Sequence, residues 1–156
     1  MVAMRIALYQ PDIAGNVGTI LRLAACMAVP VEIIEPCGFT FDDKRLKRAA
    51  MDYGDVAELR RHADWGAFDT FRRMLGARLV LMSAHAADSV YHMAFADDDI
   101  LLMGSESAGV PAHVRDACDL ATSIPMVPGL RSLNISVATG IALGEALRQT
   151  RHLSDI

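Results

Sequence analysis

Hydrophobic residues along this chain fall into two alternating patterns, short continuous apolar runs and longer stretches with helical spacing. The short runs have the composition of buried strands. They predict strands at residues 5–9, 31–34, 78–82, 100–103 and 121–124. Because strands that alternate with helices are typical of a largely parallel sheet with helices on both faces, the pattern predicts an α/β fold.

The longer stretches have the three- and four-residue spacing of amphipathic helices. They predict helices at residues 17–28, 42–51, 65–75 and about 134–150. The second begins with two aspartates and continues with basic residues, a charge order that suits a helix N-terminus. The last has a wide apolar face, which can cover the sheet, a partner subunit, or both.

Length and charge narrow the class of protein. The chain has 156 residues, of which 53% are hydrophobic, and this predicts a single domain over residues 1–156. The formal net charge is −4, so no overall positive field draws the protein to nucleic acid, and any RNA contact needs a local patch. The longest late uncharged run, residues 132–144, is too short to span a membrane.

The cysteines indicate a reducing compartment. Cys26, Cys37 and Cys118 are odd in number and lack C-x-x-C spacing, which argues against a disulfide framework and a structural zinc site. Cys26 and Cys118 fall in helical patterns, and we expect both to be packing residues. The chain start lacks the pattern of a signal peptide, and the expected location is the cytoplasm.

Glycine and proline collect in three segments, each of which follows a predicted strand. These are residues 15–18, 104–111 and 124–134. Ligands of open α/β sheets bind beyond the carboxyl ends of the strands, so we expect the three segments to converge on one site.

Each segment carries polar residues that have both a structural and a functional interpretation. Asn16 could cap a helix and Arg22 could be a solvated surface charge, or the two could hold a phosphate-bearing ligand. Glu106 lies between two glycines, in a tight turn or a small-molecule site. Ser132 or Asn134 could cap the last helix. Taken together, they make a polar cluster that helix capping does not require.

Three motifs make the sequence resemble a known family. They are N-x-G-x-x-x-R at residues 16–22, L-x-G-x-E at 102–106 and I-P-M-x-P-x-x-R-S-L-N at 124–134. They resemble the three motifs of the SpoU branch of the SPOUT methyltransferases. Within that branch, two further segments, residues 34–39 and 42–53, resemble the corresponding segments of one group of enzymes. These are the minimal enzymes that methylate the ribose of the tRNA wobble nucleotide.

The resemblance implies a C-terminal trefoil knot in which S-adenosylmethionine binds. By position, it implies that the cofactor contacts Met82, Gly104, Ile124, Met126, Ser132 and Leu133. The same resemblance assigns catalytic roles to Arg22, Asn16, Glu106 and Asn134. No metal is implied.

Physical chemistry restricts the role of the arginine. A guanidinium has a pKa above about 12 and stays protonated in proteins, so Arg22 is a poor general base. We expect Arg22 to orient the adjoining phosphate and to stabilise the developing alkoxide, while Asn16 and Asn134 hold the geometry.

A basic patch is the expected contact with tRNA. Its members are Lys44, Arg45, Lys47, Arg48 and Arg131. Such residues bind phosphates without reading sequence, and the alternative is a solvated basic helix face. The family is typically dimeric, so a homodimer could bring two patches together.

Three rival functions differ in their support. A serine hydrolase would need glycine where Ser105 stands, and a dinucleotide-dependent oxidoreductase would need G-x-G-x-x-G, which is absent. A non-catalytic RNA-binding protein is a third class. The resemblance favours methylation of C or U at position 34 of leucine tRNAs, with another tRNA or rRNA ribose as the alternative.

Overall fold

The computed structural model describes residues 3–50 and 58–151. Its strands are β1 (Arg5–Tyr9), β2 (Val31–Ile34), β3 (Leu59–His62), β4 (Leu79–Met82), β5 (Ile100–Met103) and β6 (Leu120–Thr122). Its helices are α1 (Ala14–Met27), α2 (Asp43–Ala49), α3 (Trp65–Leu75), α4 (Ala112–Ala117) and α5 (Ile135–Thr150).

The described strands form one sheet in which every pairing is parallel. The strand order is β3-β2-β1-β5-β4-β6. The chain builds outward from β1 to β3, crosses to β4, and returns so that β5 pairs with β1 on its free side. This reversal of direction creates a crevice beyond the carboxyl ends of β1 and β5, which is where ligands of open α/β sheets bind.

Helices cover both faces of the sheet, as the sequence predicts. On one face, α1, α2 and α5 pack over strand residues such as Ile6 and Leu8. On the other face, α3 and α4 pack over alternate residues such as Ala7 and Leu102. Because both faces are buried, the central strands are apolar at nearly every position, with Arg5 of β1 and Glu32 of β2 as the charged exceptions, which explains their nearly continuous hydrophobic runs.

Most of the predicted elements are confirmed. Five strands and four helices occur where the sequence places them, with ends shifted by one to three residues in α1, α2, β4 and β6. The sequence missed β3, an edge strand in which Arg60 and Arg61 are exposed, and α4, which has only six residues. The trefoil knot stays a prediction of the resemblance.

A buried carboxylate in the sheet is paired with an arginine and a histidine of the neighbouring strands. Glu32 of β2 is fully buried and accepts from Arg5 of β1 at 2.7 Å, while its other oxygen contacts Nε2 of His62 in β3 at 2.7 Å. An unpaired charge at this depth would strongly destabilise the fold, so the three neighbouring strands depend on this set of residues.

The cysteines divide into one exposed and two partly buried residues. Cys26 is exposed, so its interpretation as a packing residue is wrong; the apolar stripe of α1 leaves it on the outer side of the helix. Cys118 is partly buried, its thiol donates to the carbonyl of Val114, and burial raises its pKa to about 11. Burial likewise raises the pKa of the Cys37 thiol to about 11.

Candidate active site

The three glycine- and proline-rich segments meet at the crevice, as the sequence predicts. The Glu106 carboxylate, after β5, accepts from the backbone N–H of Asp12 at 2.7 Å and from Nδ2 of Asn16 at 3.3 Å. Nδ2 of Asn134, at the start of α5, donates to Oδ1 of Asn16 at 3.2 Å. Side chains from three distant parts of the chain therefore form one hydrogen-bonded network.

Asn16 is part of this network and does not cap α1. The N-cap position of α1 is Ile13, whose side chain makes no capping hydrogen bond, and Asn16 is the third residue of the helix. At that position its amide points across to Glu106 and Asn134. Of the two interpretations of Asn16, the helix cap is thus wrong.

Asn134 does two things at once. It is the N-cap of α5, because its Oδ1 accepts from the backbone N–H of Ser136 at 2.9 Å. Its Nδ2 remains available to donate to Asn16. The capping bond fixes the orientation of the amide, so the helix start aims the donor at Asn16.

Two glycines allow a tight turn to form directly after β5. Ser105 and Gly109 exchange backbone hydrogen bonds of 3.0 and 2.9 Å, which closes what we call the 105–109 turn. Gly109 has a φ of +63°, and a Cβ on Gly104 would lie 2.8 Å from the Gly109 backbone. The glycines are therefore needed to present Glu106 at the tip of the turn.

A cavity of about 660 Å³ opens beside the network, a volume in the range of small-molecule sites. All six residues assigned to cofactor binding line it: Met82, Gly104, Ile124, Met126, Ser132 and Leu133. The network residues Asn16, Glu106 and Asn134 line it as well.

The lining fits S-adenosylmethionine, the cofactor that the resemblance implies. Met82 and Ile124 pack against the hydrophobic core and give the cavity an apolar side, which suits an adenine ring and a thioether. Ser132 and the Glu106 carboxylate give it polar groups for a ribose and for positive charge. The chemistry of these side chains thus matches a nucleoside carrying an amino-acid tail.

Several cavity residues were not predicted as site residues, and two of them have ionisable side chains. His85 lies in the loop after β4 and Arg115 on α4, and both line the cavity. Neither belongs to a motif, so no local pattern could have identified them. No group of three metal-binding side chains occurs in residues 3–50 and 58–151.

Arg22 is the one proposed catalytic residue outside the cavity lining. It lies on α1, is half-buried, and is six positions after Asn16. Its catalytic role stays a prediction.

The proposed RNA-binding residues lie in two places. Lys44, Arg45 and Arg48 are exposed on α2, which begins at the Asp42 cap, whereas Arg131 lies at the cavity. The Lys47 side chain, and residues 51–57 with Asp52 and Tyr53 of the resemblance, are outside the described part of the chain.

Comparison with known proteins gives matches over nearly the whole chain. The family model described as the SpoU rRNA Methylase family matches residues 3–144. A relative from Beijerinckia indica subsp. indica, named tRNA (cytidine(34)-2'-O)-methyltransferase, is 49% identical over 151 residues, which cover 97% of this chain and 94% of the relative.

Solved structures agree with these matches. A structure reported with structural insights into the 2-OH methylation of C/U34 on tRNA has a TM-score of 0.88 at 40% identity, covering 94% of this chain and 95% of that chain. The SpoU methyltransferase AviRb from Streptomyces viridochromogenes, in complex with the cofactor AdoMet, has a TM-score of 0.83 at 27% identity, covering 95% of this chain and 57% of that chain.

The class of protein follows from the parallel sheet, the hydrogen-bonded loops at its carboxyl edge, the cavity between those loops and the likeness to solved methyltransferases. The protein is an α/β methyltransferase. The chain belongs to the SpoU methylase family, so the family resemblance of its motifs is confirmed. None of the helices in residues 3–50 and 58–151 is long and apolar enough to cross a membrane.

Proposed function

We propose that this protein transfers the methyl group of S-adenosylmethionine to the ribose 2′-hydroxyl of nucleotide 34, C or U, in tRNA, with leucine tRNAs as the substrates. The observation that carries the proposal is the network of Asn16, Glu106 and Asn134 at the edge of a cavity that fits the cofactor. The names of the Beijerinckia indica relative and of the C/U34 structure support nucleotide 34.

The residues of the network position the reacting groups. S-adenosylmethionine supplies, when bound, a methyl group on a good leaving group, so much of the acceleration can come from orientation. Asn16 is held by Glu106 and Asn134 at the cavity edge, where it can hold a ribose hydroxyl or its phosphate. Glu106 places a negative charge on the cavity lining.

Arg22 orients the RNA from α1 in this proposal. Its guanidinium remains protonated, so it binds the phosphate beside the acceptor ribose and stabilises the negative charge that develops on the 2′-oxygen as the hydroxyl proton passes to water and the oxygen takes the methyl group. Its position outside the cavity lining suits contact with RNA more than contact with the cofactor.

The RNA contacts α2 and the cavity mouth. Lys44, Arg45 and Arg48 offer exposed cations for phosphates, and Arg131 offers another at the cavity. The guanidiniums of Arg60 and Arg61 on β3 are engaged within the protein, because they lie over the rings of Phe71 and Phe41 respectively. The basic helix is therefore the main part of the RNA surface.

The protein acts as a homodimer of single-domain subunits in the cytoplasm, where its tRNA substrate occurs. Large apolar side chains are exposed on the loop before α5 and on α5 itself, with Val127 70%, Leu130 69% and Val137 50% exposed. Apolar side chains this exposed and this close in sequence suit a subunit interface. Sedimentation at micromolar concentration should give a dimer, and a monomer would contradict this part of the proposal.

Methyl transfer to defined RNA tests the proposal. Radiolabelled S-adenosylmethionine is incubated with unmodified leucine tRNA transcripts, with tRNA from cells lacking the gene, and with rRNA, and the labelled nucleotide is mapped. Label at ribose 34 is the expected result. Label at another tRNA ribose or on rRNA would keep the chemistry and reject nucleotide 34.

A variant of Arg22 tests whether this residue acts in methyl transfer or only in tRNA binding. Arg22→Ala should bind tRNA within a few-fold of the unaltered protein and lose most methyl transfer, about a hundredfold or more for a group that stabilises developing charge. Unchanged methyl transfer by Arg22→Ala would remove this arginine from the mechanism. RNA binding without methyl transfer in the unaltered protein would favour the non-catalytic alternative.

A further inference from the structure

Asp12 lies in the loop between β1 and α1 and is hydrogen-bonded to the 105–109 turn both as a donor and as an acceptor. Its backbone N–H donates to Oε2 of Glu106 at 2.7 Å. Its Oδ2 accepts from the backbone N–H of Ser107 at 3.0 Å and from the Ser107 hydroxyl. Ninety-five positions separate Asp12 from Ser107, so this is a tertiary clamp rather than a local turn.

The clamp controls the orientation of Glu106. One carboxylate oxygen of Glu106 is held by the backbone of Asp12 and the other by Asn16, while the next residue in the turn is held by the Asp12 side chain. Hydrogen bonds to an ionised acceptor are stronger than neutral ones. The two bonds from Ser107 also hold the pKa of Asp12 below its usual value, so the carboxylate is charged at neutral pH.

The loop between β2 and α2 packs closely against Asp12. The backbone N–H of Gly38 donates to the carbonyl of Pro11 at 2.9 Å. A Cβ on Gly38 would lie 2.8 Å from Oδ1 of Asp12 and 2.9 Å from its Cα. The lack of a side chain at Gly38 is therefore what lets this loop approach Asp12 so closely.

We propose that Asp12 is a positioning residue of the methyltransferase, which acts through Ser107 and Glu106 by fixing the 105–109 turn against the start of α1. Asp12 and Ser107 are absent from the cavity lining of the described chain, whereas Glu106 and both ends of the turn belong to it. Asp12 therefore shapes the cavity without touching the ligand. Only the identity of that ligand rests on the proposed function.

A double-mutant cycle on ligand binding tests the proposal. The dissociation constant of S-adenosylhomocysteine is measured by calorimetry for the unaltered protein, Asp12→Ala, Glu106→Gln and the double variant. We expect Asp12→Ala to weaken binding about tenfold in the unaltered background, the size of one charged hydrogen bond. In the Glu106→Gln background, Asp12→Ala should weaken binding less than about twofold, because Glu106, the residue that Asp12 positions, is already altered.

Two further variants separate positioning from general stability. Asp64→Ala removes a carboxylate that accepts from the backbone N–H of Ala67 at 2.8 Å, at the start of α3. It should lower the unfolding midpoint and leave ligand affinity unchanged. Ser107→Ala removes only the partner hydroxyl and should weaken binding about threefold, again only when Glu106 is present, so it carries the test if Asp12→Ala does not fold.

The outcomes distinguish this proposal from the proposed function. Equal losses from Asp12→Ala in both backgrounds, or no loss in the unaltered background, would overturn the role of Asp12. If the unaltered protein binds S-adenosylhomocysteine but methylates no tRNA, the proposed acceptor fails, and the calorimetric cycle still decides the role of Asp12.

Discussion

Nδ2 of Asn134 donates to Oδ1 of Asn16 across 3.2 Å, although the two residues are 118 positions apart in the chain. The bond joins the N-cap of α5 to the first turn of α1. Because Oδ1 of Asn134 is engaged by the backbone of Ser136, the same side chain begins a helix and completes the site. The two roles can be separated experimentally.

Asn134→Ser should keep the helix cap and lose the bond to Asn16. Serine caps helices about as well as asparagine, so the free energy of unfolding should stay within about 0.5 kcal/mol of the unaltered protein. Methyl transfer should fall about tenfold, because Asn16 loses a donor that orients it. Urea unfolding and single-turnover methylation measure the two effects. Asn134→Ala should lower both the free energy of unfolding and the rate of methyl transfer. A fully active Asn134→Ser would show that Asn134 serves only as a helix cap.

Gly104→Ala should damage the cavity, whereas Gly144→Ala should not. The new Cβ at position 104 would lie 2.8 Å from the backbone of Gly109, so the 105–109 turn must move. Overpacking of this kind costs about 1–3 kcal/mol, and we expect at least about a tenfold loss of affinity for S-adenosylhomocysteine. Calorimetry measures this loss, and unchanged affinity would contradict the geometry of the turn.

Gly144 is the matched control for that substitution. It is exposed on α5, and a Cβ there would have no atom within 4 Å. Alanine is the better helix former, so Gly144→Ala should raise the free energy of unfolding by about 0.5–1 kcal/mol without changing ligand affinity.

Arg115 should recognise the carboxylate of the bound cofactor. Its exposed side chain lines the cavity and makes no hydrogen bond or ion pair within the described residues. Arg115→Ala should weaken S-adenosylhomocysteine about threefold to fivefold, as expected for an exposed ion pair. Binding of 5′-methylthioadenosine, which lacks the amino-acid tail, should not change. Arg45→Ala, on α2, is the control, and equal losses for both ligands would exclude a carboxylate contact.

Glu145 should make the stability of α5 depend on pH. Its carboxylate accepts from Arg148 at 2.8 and 2.9 Å and from Gln149 at 2.8 Å, and these bonds lower its pKa from 4.5 to about 2. A lowered pKa in the folded state stabilises the protein above 4.5, and the gain disappears as the pH falls towards 2.

Glu145→Gln measures this contribution. The variant should be less stable than the unaltered protein near neutral pH, and the difference between their free energies of unfolding should narrow below about pH 4.5. Urea unfolding over that range gives both values. Salt should also reduce the difference, because the pair is at the surface. A difference that stays constant with pH would exclude the ion pair as its cause.

The sequence predicted the buried strands better than the edge of the sheet. In β1 and β5 both faces are covered by helices, so every residue except Arg5 at the start of β1 is apolar, and the hydrophobic run is visible in the sequence. In β3 the two central arginines are exposed, and only the ends of the strand face the core. Its place in the sheet comes from pairing with β2, a contact that no local pattern records.

In the candidate active site, too, the sequence predicted some residues and the structure alone identified others. Glycines and polar residues after β1, β5 and β6 indicated which loops form it, and the family motifs predicted six residues of the cavity lining. Asp12, His85 and Arg115 belong to no motif and are recognised only by what they contact or face. Arg22 does belong to a motif, but it is not among the residues that line the cavity.

By itself the sequence determined five of the six described strands and four of the five described helices, because burial on two faces and helical periodicity are local properties of the chain. The sequence also indicated which loops form the candidate active site. Only the tertiary structure decided that β5 pairs with β1 and that Asn134 contacts Asn16. Those pairings join segments about a hundred positions apart, and they depend on loop closure and packing of the whole sheet rather than on any neighbouring residues.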